Sequence, residues 1–335
     1  MNINEIDTYV HTAKSAGDLQ LINELVKFQI DLTKEYAEPE YTLSLNGIDT
    51  LPIGDIQAIK AKSKNGKTYL ASILLASFFG CKKFGFTSKI TGGHAMFIDT
   101  EQNELNTARV VRRVHALCGW DINTNNDCFK SYALRTMDSK DRMKFVENAL
   151  DTERPQMVII DGIGDLIEDF NDIVSSSECI NNLMRMSTEY HCAIISILHT
   201  NKAKEDSNMK GHLGTFLLQK SSDVFEVKKD KDTFNVSETD CRNMPVDGFS
   251  FTIDYDGMPH LIYSCKDQEL SDTLYHIMGN GTMSHGELKE LLMDKLNRSE
   301  RMARYKISEA LNKGLLTKIS NIGQNEVYQW KGKLP

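Results

Sequence analysis

"IKAKSKNGKTYLASILL", Ile59 to Leu75, sets Lys62, Lys64 and Lys67 directly ahead of an apolar run in a chain of formal net charge −8. The lysines stand where a short β-rich run, "IQAIKA", gives way to a helical one. Ala61-Lys62-Ser63-Lys64-Asn65-Gly66-Lys67-Thr68 follows the P-loop form, with alanine in place of the first glycine, and has the strand-then-helix context that the form requires. A polyphosphate carries dense negative charge, and backbone N–H groups converging at a helix N-terminus hold it. On this reading Gly66 lets the backbone approach, Lys67 reaches the β and γ phosphates of ATP, and the Thr68 hydroxyl ligates Mg2+. Tyr69 is counted with the nucleotide contacts. Lys62 and Lys64 read either as extra phosphate contacts or as solvated side chains.

The totals bound the rest. A chain of 335 residues, 40% hydrophobic and 26% charged, suits a globular protein of two domains. "MNINEIDTYV" lacks the basic and apolar regions of a secretory signal, and the longest apolar run, "YLASILLASFFG", is too short to span a bilayer. A cytoplasmic location without membrane partners is the expectation. Seven cysteines without a C-x-x-C pair predict reduced, mostly buried thiols and no structural zinc.

Residues up to about Pro39 read as helical, because "INELVKFQIDLTKEY" repeats apolar residues at three- and four-residue spacing. From Leu51 short β-rich runs alternate with amphipathic stretches through "HAMFIDT", "CFKSYAL", "QMVIID" and "CAIISILHT", which implies crossover connections and a mainly parallel sheet. After His199 a polar loop, "NKAKEDSNMKGHLGT", is expected before "DVFEVKKD", "TFNVSE", "FSFTIDYDG" and "HLIYS", strands close enough to form antiparallel hairpins. From Asp267 three short helices precede two strands around a turn, the order of a winged helix-turn-helix. The expected domains are an N-terminal helical segment over 1–45, an α/β core over 46–266 and a winged helix over 267–335.

A magnesium nucleotide needs an acid at the end of a neighbouring strand. "QMVIIDGIGDL" supplies Asp161 after four apolar residues, to hold Mg2+ directly or through water, although an aspartate there also caps turns. Hydrolysis needs a group to deprotonate the attacking water. Glu101, just beyond "HAMFIDT", is placed for that role, or else is a helix-start acid favoured by the dipole; Gly162 stands directly after Asp161, where such a glutamate often sits.

These residues resemble RecA-like ATPases, in which the catalytic glutamate follows the strand after the P-loop helix. "ISILHTNK" and "KGHLGTFLLQKSSDVFEV" are similar to the sensor strand, mobile loop and next strand of the hexameric replicative-helicase branch, including the RepA-like helicases of bacterial plasmids. The resemblance covers about residues 45–265 and implies a RecA-like P-loop NTPase core of AAA type. It implies that His199 senses the γ phosphate and that Lys202, Lys204 and Lys210 belong to a loop facing the channel of a ring. It also implies that Arg242, in "SETDCRNMPVDGFSF", completes a neighbouring subunit's site. In the DnaB-type pattern a lysine stands two residues before that arginine; here it is Asp240.

The tail helix "SERMARYKISEALNKG" brings Arg301, Arg304 and Lys306 to the end that a recognition helix presents to DNA, and Lys318 lies on the wing. Glu287, Glu290, Glu300 and Glu309 nearly balance them, so DNA and protein both stand as its partner. Two functions are consistent with this sequence. One is an oligomeric, ring-forming, DNA-associated ATPase, a motor or loader in replication or mobilisation of a mobile element, working with other replication or mobilisation proteins. The other is a nucleotide-gated DNA-binding regulator or initiator with little or no hydrolysis. A small-molecule kinase is disfavoured, since no lid is visible.

Overall fold

The computed structural model describes residues 16–200, 209, 211–262, 265–279, 281–322 and 325–331. The chain divides into two units, Met1–Pro39 and Glu40–Pro335. In the first, helix α1 (Ala16–Phe28) exposes Leu21, Leu25 and Phe28.

The second unit opens with a hairpin, β1 (Tyr41–Leu45) and β2 (Ile48–Pro52), so β structure starts before the expected boundary at residue 46. Its turn is Asn46-Gly47, both at positive φ (52° and 86°), the backbone that an Asn-Gly hairpin turn requires. β3 (Ile56–Ala61) leads into α2 (Lys67–Phe78), and β4 (Phe86–Ser88) then pairs with β1 to complete a small antiparallel sheet.

The main sheet follows the anticipated alternation. In chain order come β5 (Ala95–Asp99), α3 (Glu104–Cys118), β6 (Phe129–Ala133), α4 (Ser139–Glu153), β7 (Met157–Asp161), α5 (Ile173–Glu189) and β8 (Ala193–His199). Helix α6 (Gly211–Lys220) carries the chain to β9 (Asp223–Asp230), which is followed by β10 (Thr233–Cys241), β11 (Phe249–Ile253) and β12 (Pro259–Ile262). The nine strands are ordered β12-β11-β10-β9-β3-β8-β7-β5-β6. Pairing is parallel from β9 to β6 and antiparallel from β9 to β12.

Alternate side chains of the parallel strands point to opposite faces, and each face has its own core. Ile59, Phe97, Ile159 and Ile195 pack with α2, α3 and the small sheet; Ala58, Ile98, Ile160 and Ile194 pack with α4, α5 and α6. Because the small sheet lies over it, α2 is buried along most of its length, from Leu70 to Phe78.

The polar loop expected over "NKAKEDSNMKGHLGT" is corrected from Gly211 onward. Leu213 and Leu217, one turn apart, bury themselves in the second core, and β8 and β9 run parallel on either side of β3, which demands a crossover. β9 likewise is not merely a hairpin strand, since it joins β3 in parallel before β10 folds back on it.

The C-terminal part holds α7 (Cys265–Met278), β13 (Thr282–Ser284), α8 (His285–Leu296), α9 (Glu300–Asn312), β14 (Leu316–Ile322) and β15 (Asn325–Trp330). Its strands form an antiparallel sheet ordered β13-β15-β14, around a core that includes Leu274, Leu288, Ile307 and Tyr328. A capping box at Ser284 and Glu287 starts α8. The tail rests on the α/β core through the Tyr305 hydroxyl, which donates to the Asp247 carboxylate, and through Ser308, which sits against Gly47.

Candidate active site

The parallel strands end together at one edge of the sheet. Ala61 pairs with His199, and Asp99 pairs with Asp161, so β3, β8, β7 and β5 deliver their last residues side by side. The C-terminal edge of such a sheet is where α/β folds bind ligands. A cavity of about 490 Å3 lies there. Its lining includes the loop from Ser63 to Tyr69 together with Glu101, Asp161 and His199. A larger groove, about 600 Å3, runs along α3 and edge strand β6 and takes in none of the P-loop.

The loop between β3 and α2 turns sharply. Lys64 at φ 61° and Gly66 at φ 85° hold left-handed backbone, an uncommon state for the β-carbon-bearing lysine. Gly66 has a second reason to be glycine, because a Cβ there would stand 2.5 Å from the Phe234 ring. Helix α2 starts at this glycine without a side-chain cap and without an acid in its first turn. Such a start leaves the positive end of the helix dipole for an anion.

Inside the cavity the predicted groups meet. Thr68 Oγ1 donates to Asp161 Oδ2 at 2.8 Å. Lys67, nearly buried, has Nζ 2.6 Å from His199 Nδ1, and His199 Nε2 faces Glu101 Oε2 at 3.5 Å. The ammonium, which has only protons to offer, lies within reach of both ring nitrogens, nearer to Nδ1 and 3.3 Å from Nε2. Burial pushes the Asp161 carboxyl up to about 6; the Thr68 hydrogen bond and Lys67 oppose that rise, while the neighbouring Asp99 and Glu101 charges add to it.

The oxygen donors Thr68 and Asp161 suit Mg2+, a hard cation that takes one or two protein oxygens and completes its shell with phosphate and water. A buried carboxylate destabilised by desolvation is also a group that a cation stabilises. Among the described residues no group of three or more His, Cys, Asp or Glu forms a closed metal cage.

Ala61 ends β3, its carbonyl accepting from Thr200 N at 3.0 Å, and neither it nor Lys62 lines the cavity. Ser63, Lys64, Asn65 and Tyr69 do. Lys202, Lys204 and Lys210 lie outside the described residues. Arg242 stands at the far end of the parallel strands from its own P-loop. It donates to the Lys220 carbonyl at 2.9 Å and faces Asp55 at 3.8 Å, so within one chain it does not reach this cavity. In the tail, Arg304 is paired with Glu300, Lys306 with Glu309 and Lys318 with Glu326, while Arg301 is exposed.

Several lining residues escape a sequence reading. The Arg113 guanidinium lies 3.9 Å from the centre of the Tyr69 ring, and its Nε donates to the Gly257 carbonyl at 3.2 Å, which brings the β11–β12 turn to the cavity wall. Arg109, Asn106 and Phe234 line it too. Helical spacing from Arg109 points to Arg113 one turn on; nothing local signals Phe234, which arrives from β10.

A family model described as an AAA domain matches residues 26–205, more than half the chain. No curated protein matches it. The loop from Ser63 to Thr68, the buried Asp161 and the parallel strands β3, β5, β6, β7 and β8 all fall within the matched residues, and the chain belongs to the AAA domain family of P-loop ATPases.

Proposed function

We propose that this protein is a Mg2+-dependent ATPase that works on DNA as an oligomer, a motor or loader for replication or mobilisation of a mobile element, in the cytoplasm. The convergence of Lys67, Thr68, Asp161, Glu101 and His199 on one cavity carries the ATPase part. In hydrolysis a water oxygen attacks the γ phosphorus while Glu101 takes the water's proton. The bond from that phosphorus to the β–γ bridging oxygen breaks, its electron pair leaving with ADP. Lys67 lies against the oxygens that carry the developing charge, and His199, hydrogen-bonded to Lys67, is displaced by phosphate as it enters. Thr68 and Asp161 would hold Mg2+, which would supply positive charge to offset that of the phosphates.

The DNA part is supported by the RepA-like sequence pattern and by the tail, whose helix and strand order suits a winged helix with α9 as its reading helix. The oligomeric part is supported by Arg242, which is half exposed and stands away from its own site, so that a part in hydrolysis would bring it to a neighbour's, in exchange for its contacts with Lys220 and Asp55. A second reading, a nucleotide-gated regulator with little hydrolysis, draws support from Asp240 in place of lysine and from the glutamates that pair three of the tail cations.

The deciding experiment is steady-state ATP hydrolysis with and without single-stranded DNA, for wild type, Glu101→Gln and Arg242→Ala, with mass measured by light scattering. DNA-stimulated turnover lost in both variants supports the motor. Nucleotide binding without turnover in wild type moves the reading to the regulator. Mixing Lys67→Ala with Arg242→Ala protein tests the shared site, because a finger acting in trans restores part of the activity.

A further inference from the structure

We propose that Asp99 is a positioning residue that fixes the Glu101 carboxylate at the phosphate end of the cavity; this rests on the hydrolytic reading above. Asp99 ends β5 directly beside Asp161, is fully buried, and does not line the cavity. A carboxylate in that place looks like a second metal ligand, but its oxygens are engaged elsewhere. Oδ1 accepts from the backbone N–H of Glu101 at 3.1 Å and of Gln102 at 2.9 Å. Oδ2 accepts from Gln102 Nε2 at 2.9 Å and from Thr107 Oγ1 at 3.0 Å. Two donors on each oxygen tie the strand end, the turn that follows and the first turns of α3 into one unit.

Glu101 sits inside that turn. Its own N–H is held by Asp99, so its Cα has a fixed place relative to β5. Gly162 provides the other wall. At φ 101° it passes so close that an added Cβ would strike Thr100 Oγ1 and lie 2.7 Å from Glu101 Cγ. The glutamate therefore reaches His199 through a gap between a hydrogen-bonded turn and bare backbone. An exposed glutamate on an untethered turn would have many rotamers and backbone states to sample; this one has its backbone fixed from beneath.

The test is a double-mutant cycle of Asp99→Asn and Glu101→Gln, with amide exchange read by mass spectrometry on nucleotide-free protein. Asn keeps the shape but leaves one oxygen to serve four donors. The expected result is a kcat lower by about 10- to 100-fold, the cost of a misplaced catalytic group. ATP affinity stays within about twofold, and the amides of Glu101 and Gln102 exchange at least about tenfold faster, by loss of a charged acceptor. In the Glu101→Gln background Asp99→Asn lowers kcat no further. Additive losses, or unchanged exchange at Glu101 and Gln102, overturn the proposal. If Glu101→Gln leaves wild-type turnover intact, the catalytic reading of Glu101 fails by itself, and the exchange result alone decides whether Asp99 holds the turn. Thr107→Val, which deletes one donor at the edge, gives a smaller loss of the same kind and serves if the Asn variant does not fold.

Discussion

Thr68 and Asp161 lie 93 residues apart in the chain, yet the threonine hydroxyl donates to the aspartate at 2.8 Å. The threonine proton occupies the carboxylate oxygen that a cation would otherwise take. Because burial raises the Asp161 carboxyl to about 6, a proton competes with metal for the same oxygens below that pH. Affinity for Mg-ATP is expected to rise with pH from 5, through a half-way point near the Asp161 value of about 6, and to level off about one unit above it, as the unprotonated fraction saturates. Calorimetric titration across pH 5–7.5 checks this against Asp161→Asn, whose profile is expected to be flat over the same range.

Lys67 Nζ lies 2.6 Å from His199 Nδ1, and on the proposed function a phosphate entering the cavity would replace the imidazole. Lys67→Ala removes a buried charge-assisted donor, worth about 1.5–3 kcal/mol, so ATP affinity falls by about 10- to 100-fold and turnover is lost. Fluorescent-nucleotide titration measures the first and a phosphate-release assay the second. Unchanged affinity would remove the phosphate loop from the account.

Gly162→Ala tests the close passage beside Glu101. The substitution combines left-handed backbone with contacts to Thr100 and Glu101, so a stability loss of about 1–3 kcal/mol and a marked fall in turnover are expected together. Urea unfolding and steady-state kinetics on the same preparation separate the two. A variant as stable and as active as wild type would show that the turn has room to spare.

Asp223 secures the hairpin that the sequence hides. Its Oδ2 accepts from Leu51 N at 2.7 Å and from Thr50 Oγ1 at 3.1 Å, and Leu51 sits at φ 57° in a fully buried position. Asp223→Ala strands two buried donors beside strained backbone, and a loss of about 2–4 kcal/mol by denaturant unfolding is expected. Burial raises the Asp223 carboxyl, so Asp223→Asn at neutral pH, which removes the desolvated charge and keeps an acceptor, is expected to cost less than the alanine.

What the sequence displays best is what repeats or what must be local. Four apolar residues before Asp161 and the glycine-lysine-threonine ahead of a helix are contiguous patterns, and the fold puts them together because parallel strands end at a common edge. The β1–β2 hairpin was equally local, marked by Asn46-Gly47 between alternating apolar residues, but is short and lies ahead of the conspicuous loop. Helix α6 is obscured by the polar residues before it; Leu213, Phe216 and Leu217, at i, i+3 and i+4, are its signal. Phe234 at the P-loop glycine and Arg113 over Tyr69 depend on strand order and helix docking, which no window of sequence contains.

The pairing of Asp99 with Asp161 has one more effect, felt at a distance. Asp99, Asp161 and Glu101 gather negative charge at the inner end of a cavity whose rim carries the exposed cations Lys64 and Arg109. Field lines from the rim, Lys67 and the start of α2 draw phosphates in, while the carboxylates set an opposing charge that a divalent ion would offset. A metal-complexed nucleotide is therefore expected to bind here more tightly than a bare one, partly through Asp99, a carboxylate that does not line the cavity.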